Sequence, residues 1–291
     1  MNARPFVRPF VKWAGGKSRL LKELVPYVPR TMRIYCEPFM GGAALFFAIA
    51  GSESKYSFKQ ALLVDSNEEL VACYRGVRNC LGAVLKILPL YSYDKETYYK
   101  VREQDTRGMS DAERAARFIF LNRTCFNGLW RVNATGKFNV PFGAYKNPRI
   151  VDEARLQAAS CVLQKAELMA CDFMEALKEL RAGDFAYLDP PYEPVSRTSR
   201  FTSYVPGGFQ SADQQRLAEA FRTLGENGVR ALLSNSDTPF VRSMYCDFTA
   251  YSVNAPRTIH ADASRRRRFQ EVLIQNWRED GDLEKVESYC G

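Results

Sequence analysis

Phe185-Ala186-Tyr187-Leu188 runs directly into Asp189-Pro190-Pro191-Tyr192, and no other junction in the chain constrains the fold as tightly. The four apolar residues read as a short buried strand. The two prolines remove two backbone donors and fix two φ angles, so the ladder stops there. A carboxylate, Asp189, is left at the strand's end. On these residues alone, a strand stop carrying a solvated acid explains the junction as well as a functional site does.

Around this junction, strand and helix patterns alternate. "RIYCEP" (33–38) reads as a strand entering the glycine turn "FMGG", and "AALFFAIA" (43–50) as a helix apolar on most sides, hence buried. "ALLVD" (61–65) is a second strand, after which Ser66 and Glu69 form a capping box opening "NEELVACYRGVRN". Asp172 with Glu175 caps "FMEALKELR", which Gly183 stops, and Ser211 with Gln214 caps a helix reaching about Leu224. "RALLSN" and "EVLIQNW" are further strands. This alternation predicts an α/β sheet of the doubly wound type.

The middle of the chain differs. Residues 68–150 hold helical patterns, one of them capped by Ser110 and Glu113, but no buried strand. They end in "TCFNGLWRVNATGKFNVPFGAYKNPR", a run rich in Asn, Gly, aromatics and base that is too long for an ordinary connector. The expected organisation is a discontinuous α/β core, 1–67 plus 151–291, with a helical domain, 68–150, inserted and ending in a recognition loop.

Composition narrows the function classes. No apolar run reaches the roughly 18 residues that span a bilayer, and the N-terminus lacks the apolar stretch of a secretory signal. The eight cysteines contain no C-x-x-C pair and His260 is the single histidine. A zinc site is therefore not expected, and reduced cytosolic thiols are. Forty-one basic residues against 33 acidic give a net charge of +8. Arg265, Arg266, Arg267 and Arg268 run together, a self-repelling group that favours an anionic partner, and Arg197 and Arg200 lie just past the opening junction.

"EPFMGG" leaves a strand and opens a helix. Gly41 and Gly42 carry no Cβ, so a ligand can approach the backbone closely. Asp65 ends the next strand, a spacing that suits a carboxylate reaching the ribose hydroxyls of a nucleotide-like cofactor. A helix-packing turn and a helix-capping acid explain the same residues without a ligand. The turn continues as G-G-A-A-L-F rather than G-x-G-x-x-G, which disfavours a dinucleotide. "FVKWAGGK" lacks the phosphate-loop pattern, and its Lys17 suits a carboxylate. A methyl donor with a ribose and a carboxylate fits the turn, Asp65 and Lys17 together. Its acceptor would be a conjugated amine such as a base amine. Asp189 and the Pro190 carbonyl would each accept one N–H, freeing the lone pair for in-line attack, while Tyr192 offers a face for stacking. Such a base must first leave the helix.

In order, "FVKWAGGK", "EPFMGG", "LLVDSNEEL", "LNRTCFNGLWRVNATGKFNVPFGAYK", "LDPPY", "FTSY" and "LLSNSD" resemble the Dam-type DNA adenine-N6 methyltransferases over residues 6–277. The resemblance implies a Rossmann-like core binding S-adenosylmethionine, with a helical target-recognition domain inserted before the catalytic tetrapeptide. It implies that Trp13, Lys17, Phe39, Gly41, Asp65, Asp172, Phe173 and Asp189 serve the cofactor, and that Asp189, Pro190, Pro191 and Tyr192 hold the target adenine. Lys12, Leu129, Arg131 and Pro141 match base-reading positions of GATC-specific members; Arg123, Phe126, Asn127 and Asn139 lie in the same segment. It further implies double-stranded DNA as partner, no membrane and no metal, a cytoplasmic, nucleoid-associated location, and nothing beyond a monomer.

The chain departs from the family at three positions. Ala43 replaces a frequent third glycine and restricts that position to negative φ; Phe126 replaces a common tyrosine; Ala144 replaces an arginine found in some members. Methylation of another conjugated amine, cytosine N4 or an RNA base, and a nucleic-acid-binding module without catalysis remain the competing functions.

Overall fold

The structure is a computed structural model that describes residues 7–51, 55–192, 208–255 and 269–278. Arg265–Arg268, Arg197, Arg200, His260 and the segment "FTSY" lie outside the described residues.

Among the described residues seven strands form one sheet: β1 (Thr31–Glu37), β2 (Ser57–Asp65), β3 (Ala166–Ala170), β4 (Phe185–Leu188), β5 (Arg230–Ser236), β6 (Thr249–Ala255) and β7 (Phe269–Gln275). Their order is β3-β2-β1-β4-β5-β7-β6. The first five in this order are parallel, and β7 is antiparallel to both β5 and β6. Successive strand residues enter two different buried layers. Tyr35, Leu63, Phe185, Tyr187, Leu232 and Leu273 face one layer; Cys36, Leu62, Val64, Ala186, Leu188 and Leu233 face the other. A sheet covered on both faces needs apolar residues at consecutive positions, which is why these strands read as unbroken apolar runs. The doubly wound α/β arrangement expected from the sequence is present.

The order reverses between β1 and β4. From β1 the chain moves outward through β2 and β3, then returns beside β1 as β4. A switch point of this kind opens a crevice at the carboxyl ends of the two strands. Glu37 ends β1 and Leu188 ends β4, with Cys36 paired to Ala186. The glycine turn and Asp189–Tyr192 therefore leave the sheet side by side.

The helices are α1 (Leu21–Leu24), α2 (Ala44–Ala50), α3 (Glu68–Asn79), α4 (Leu81–Ile87), α5 (Lys95–Glu103), α6 (Asp111–Thr124), α7 (Glu153–Leu163), α8 (Phe173–Lys178), α9 (Ser211–Glu226) and α10 (Pro239–Met244). Among the described residues no helix is long and apolar enough to cross a membrane. Between β2 and β3 the chain is helical, then forms a loop pinned by the isolated bridges Cys125–Phe142 and Val132–Phe138. One apolar cluster joins the sheet to this segment, running from Tyr35 and Phe46 through Leu70 and Phe118 to Trp130.

Four local expectations are corrected. Asn67, not Ser66, caps α3: its Oδ1 accepts the Leu70 N–H at 3.1 Å, because Asp65 Oδ1 already turns the chain by accepting the Asn67 N–H at 2.9 Å. The α9 cap is Gln210, whose N–H donates to Asp213 Oδ2 at 3.0 Å, rather than Ser211 with Gln214. Gln214 is buried and directs its amide inward to the Pro191 carbonyl, 3.2 Å away. Helix α8 ends at Lys178, before the Gly183 turn, where φ is +86°. Ala43 adopts φ 48° and ψ 41°, left-handed values that a Cβ disfavours, and not a negative φ. Its N–H donates to Met40 O at 2.6 Å and its carbonyl accepts from Phe47 N at 3.0 Å, which holds the turn in place at the start of the fully buried α2.

Candidate active site

The crevice is built from three segments. From the N-terminal strap come Trp13 and Lys17. The Lys12 backbone N–H and carbonyl both bond the Asn122 side chain of α6 at 2.7 Å, which ties the strap to the inserted helices. Trp13 lies against Gly41: a Cβ built there would sit 2.7 Å from Trp13 Cδ1, and Gly41 itself has φ +45°. The space expected to admit a ligand is thus filled, on that side, by the indole. Gly41→Ala combines a disfavoured φ with an aromatic clash, and a stability loss of about 2 kcal/mol or more is expected in denaturant melts.

Asp65 supports the same turn. Its Oδ2 accepts the Gly41 N–H at 3.0 Å while Oδ1 accepts from Asn67. Each oxygen keeps a second lone pair for a ligand hydroxyl. Burial pushes this carboxyl up to about 6, against the two backbone hydrogen bonds.

Beneath the turn lies Glu37, a carboxylate that sequence reasoning passed over although it stands inside "EPFMGG". It is 2% exposed and accepts hydrogen bonds from the Tyr35 hydroxyl and, at 2.8 Å, from the Phe46 N–H in the first turn of α2. Glu37 therefore supplies the cap that Ala43 lacks. Burial pushes it up to about 8, outweighing those two hydrogen bonds. The folded chain then holds a proton that the unfolded chain has released. The stabilisation is complete below the ordinary value of 4.5 and is lost as pH rises through about 8. Melting temperature is expected to fall across that window, and Glu37→Gln, which keeps the accepting oxygen, should flatten the fall. An unchanged pH profile in the variant would show that another group governs it.

The third segment is Asp189–Tyr192. Lys17, 5% exposed, places Nζ 2.8 Å from Asp189 Oδ1, donates to the Gly15 carbonyl at 2.9 Å, and stands 4.5 Å from the centre of the Tyr192 ring. Ser234 on β5 donates to the same Asp189 Oδ1 at 2.9 Å. Among the described residues, Asp189 Oδ2 and the Pro190 carbonyl accept no hydrogen bond. Tyr192 donates its hydroxyl to Glu271 Oε2 at 2.7 Å. Burial raises the Tyr192 phenol well above its usual value, with Asp189 and Glu271 adding to the effect, so it stays protonated. Ser234 and Glu271 carry no assignment from the sequence, and Gln214 reads there only as a capping partner. Ser234 lies in the quoted "LLSNSD", but a buried hydroxyl carries no signature of its partner.

Phe39, Asp172 and Phe173 gather beside the glycine turn. Phe39 packs on Phe173 with ring centres 5.2 Å apart, and Phe209, also missed, closes the cluster at 5.6 Å from Phe39. Asp172 caps α8 and accepts from Arg216 at 2.8 Å, while the Arg216 guanidinium lies 5.0 Å from the Phe173 ring.

The loop that follows α6 carries most of the remaining residues expected from the sequence. Arg131 is exposed and donates from Nε to Asn139 Oδ1 at 2.7 Å, which steadies its fork. Phe126, Asn127 and Pro141 are exposed, and Leu129 is half-buried. Lys12 Nζ stands 4.5 Å from the Tyr145 ring centre; burial, then the nearby Arg123, lower its pKa. Its stem packs on Gly128, where a Cβ would sit 2.4 Å from Lys12 Cδ. Arg123 is turned inward and donates to the Phe10 carbonyl, tethering the strap. Among the described residues no group of three or more His, Cys, Asp or Glu is placed to hold a metal.

Comparison with known proteins bears on this geometry. The profile of the D12 class N6 adenine-specific DNA methyltransferases matches residues 13–259. The type II methyltransferase M1.LlaDCHI of Lactococcus lactis subsp. cremoris is 40% identical, over 93% of this chain and 96% of its own. The type II methyltransferase M.MjaIII of Methanocaldococcus jannaschii is 39% identical, over 93% and 99%. A DNA adenine methylase of Vibrio cholerae is 33% identical, over 91% and 95%. The chain belongs to the D12 class of N6 adenine-specific DNA methyltransferases.

Proposed function

We propose that this DNA adenine methyltransferase transfers a methyl group from S-adenosylmethionine to N6 of an adenine everted from duplex DNA, within GATC, and that Asp189–Tyr192 hold the target. The observation that carries this reading is that Asp189 Oδ2 and the Pro190 carbonyl, in the same tetrapeptide as Tyr192, accept no hydrogen bond among the described residues at the sheet's switch point. The Lys17 ammonium, set between Asp189 and that ring, occupies the kind of place an N–H donor on an aromatic face would take.

The residues fit the cofactor. Asp65, which braces the glycine turn, keeps lone pairs for ribose hydroxyls, and the Phe39–Phe173–Phe209 cluster beside Asp172 suits an adenine ring. Lys17 would pair with the methionine carboxylate, and Trp13 would wall the pocket behind Gly41. Bound there, S-adenosylmethionine supplies an electrophilic sulfonium methyl. Asp189 Oδ2 and the Pro190 carbonyl take both N–H bonds of the target amine. The nitrogen is drawn toward tetrahedral geometry and its lone pair leaves the ring system. Fixed dipoles then stabilise the positive charge that develops on it as the N–CH3 bond forms and the S–CH3 bond breaks; one amine proton is then lost to solvent past Asp189, and the two prolines hold the acceptors rigid. Tyr192 stacks on the base, which offsets part of the few kcal/mol lost on eversion.

Residues 68–150 act in this account as the target-recognition domain. Arg131 suits guanine O6 and N7 in the major groove, Leu129 or Pro141 the thymine methyl, and Lys12 a further guanine. The +8 charge adds attraction to the phosphates. Transfer of labelled methyl from S-adenosylmethionine to duplexes with and without GATC tests the proposal. Incorporation confined to GATC duplexes is expected. Equal incorporation into both would remove the sequence claim, and none into either would favour a binding module.

A further inference from the structure

Asp189 is held by two residues that no step above uses. Ser234 Oγ lies 2.9 Å from Asp189 Oδ1, and Tyr187 Oη lies 2.9 Å from the same Ser234 Oγ. Both side chains are buried, Ser234 completely and Tyr187 to 3% exposure. Chemistry sets the direction of these bonds. An ionised carboxylate only accepts, so Ser234 donates its one proton to Asp189. The phenol is then the only donor left for the Tyr187–Ser234 contact. Burial, then the nearby Asp189 charge, raise the Tyr187 phenol well above its usual value, outweighing the Ser234 contact, so it keeps that proton. The result is a one-way chain of hydrogen bonds from Tyr187 on β4 to Ser234 on β5 to Asp189.

This chain has a geometric consequence. Lys17 also contacts Oδ1, so that oxygen carries both of the carboxylate's protein partners. Oδ2 has no hydrogen-bond partner among the described residues. Strands β4 and β5 are parallel neighbours, with Tyr187 paired to Leu232 and Leu188 to Leu233, so the two donors sit on adjacent, rigid strands. A carboxylate at a loop start rotates readily about its last bond unless one oxygen is anchored. Were Lys17 to pair instead with a cofactor carboxylate, as the proposed function has it, Ser234 would be the remaining anchor.

We infer that Ser234, backed by Tyr187, is a positioning residue that fixes the rotation of the Asp189 carboxylate, so that Oδ2 meets the target amine. The inference rests on the reading of Asp189 as the amine acceptor. Positioned acceptors matter most in the transition state, so the effect belongs in kcat and not in substrate binding.

The test is steady-state kinetics of the full chain with S-adenosylmethionine and a GATC duplex. Ser234→Ala is expected to lower kcat by about 10- to 100-fold, with both KM values within about 2-fold of the parent. Ser234→Thr, which keeps the hydroxyl, should restore most of the loss. Tyr187→Phe should lower kcat about 3- to 10-fold alone and add nothing to Ser234→Ala, as befits two residues acting through one bond. Parent-like kcat in Ser234→Ala, no rescue by threonine, or additive losses would each overturn the inference. If Ser234→Ala fails to fold, Tyr187→Phe, which removes a single oxygen, decides alone. Asp189→Ala separates the two levels. If it keeps the parent rate, the acceptor reading fails; if it is inactive while Ser234→Ala and Tyr187→Phe turn over normally, only the positioning role fails.

Discussion

Asp189→Ala is expected to lower kcat by roughly a thousand-fold or more, a loss of the size seen when a preorganised electrostatic partner of the reacting atom is removed. In the proposed mechanism the substitution takes away one of the two acceptors that draw the amine nitrogen out of conjugation. It also leaves the Lys17 ammonium, 5% exposed and 2.8 Å from Asp189, without its carboxylate. Breaking a buried pair from one side is costly in its own right, about 3–5 kcal/mol. Activity and melting temperature must therefore be measured together. Asp189→Asn separates the two losses, because the amide keeps the shape and one accepting oxygen while removing the charge. Cofactor affinity, measured by calorimetry, should change far less than kcat in either variant. Methylation near the parent rate in Asp189→Ala would dismiss the residue from the chemistry.

Arg131→Ala is the second large effect. Arg131 is exposed and its guanidinium is oriented by the Asn139 side chain and, more weakly, by the Asn139 carbonyl at 3.4 Å. A prepositioned planar fork loses little freedom on engaging two acceptors of one guanine. Its removal should relax discrimination between GATC and single-mismatch duplexes by about 1–3 kcal/mol, or about 5- to 150-fold in kcat/KM. The rate on the cognate duplex should fall while rates on mismatched duplexes change little. Unchanged discrimination would take Arg131 out of base recognition.

The sheet's centre was legible because burial on both faces writes itself as continuous apolar runs. "IYCE", "LLVD", "FAYL" and "ALLS" all became central strands, and the prolines after Leu188 marked the carboxyl end where the crevice opens. The edge strands were not legible. Strand β3 is "AELMA", composed mostly of good helix formers, and among the described residues it pairs on one side only, with β2. Strand β6, "TAYSVNA", mixes polar and small residues and among the described residues pairs only with β7. At such positions pairing with a neighbour overrides local propensity.

The same division holds in the site. Asp65 could be singled out by its spacing from the glycine turn, Lys17 by its own Gly-Gly turn and Asp189 by the two prolines that follow it. The residues that orient them could not. Glu37 reads as a strand-end acid until its contact with Phe46 is seen, and Gln214 reads as part of a capping box until its amide is found on the Pro191 carbonyl. Ala43 was misjudged for a related reason. Its left-handed backbone is imposed by the hydrogen bonds that close the turn onto α2, and no feature of alanine itself announces it.

The most direct measurement is a crystal structure of the chain with a cofactor analogue and a GATC duplex. The account expects the target adenine outside the helix, its N6 within hydrogen-bond distance of both Asp189 Oδ2 and the Pro190 carbonyl, and its ring against Tyr192. Lys17 should then have withdrawn from between them. An adenine still stacked in the duplex, or an everted base whose amine meets neither oxygen, would contradict it.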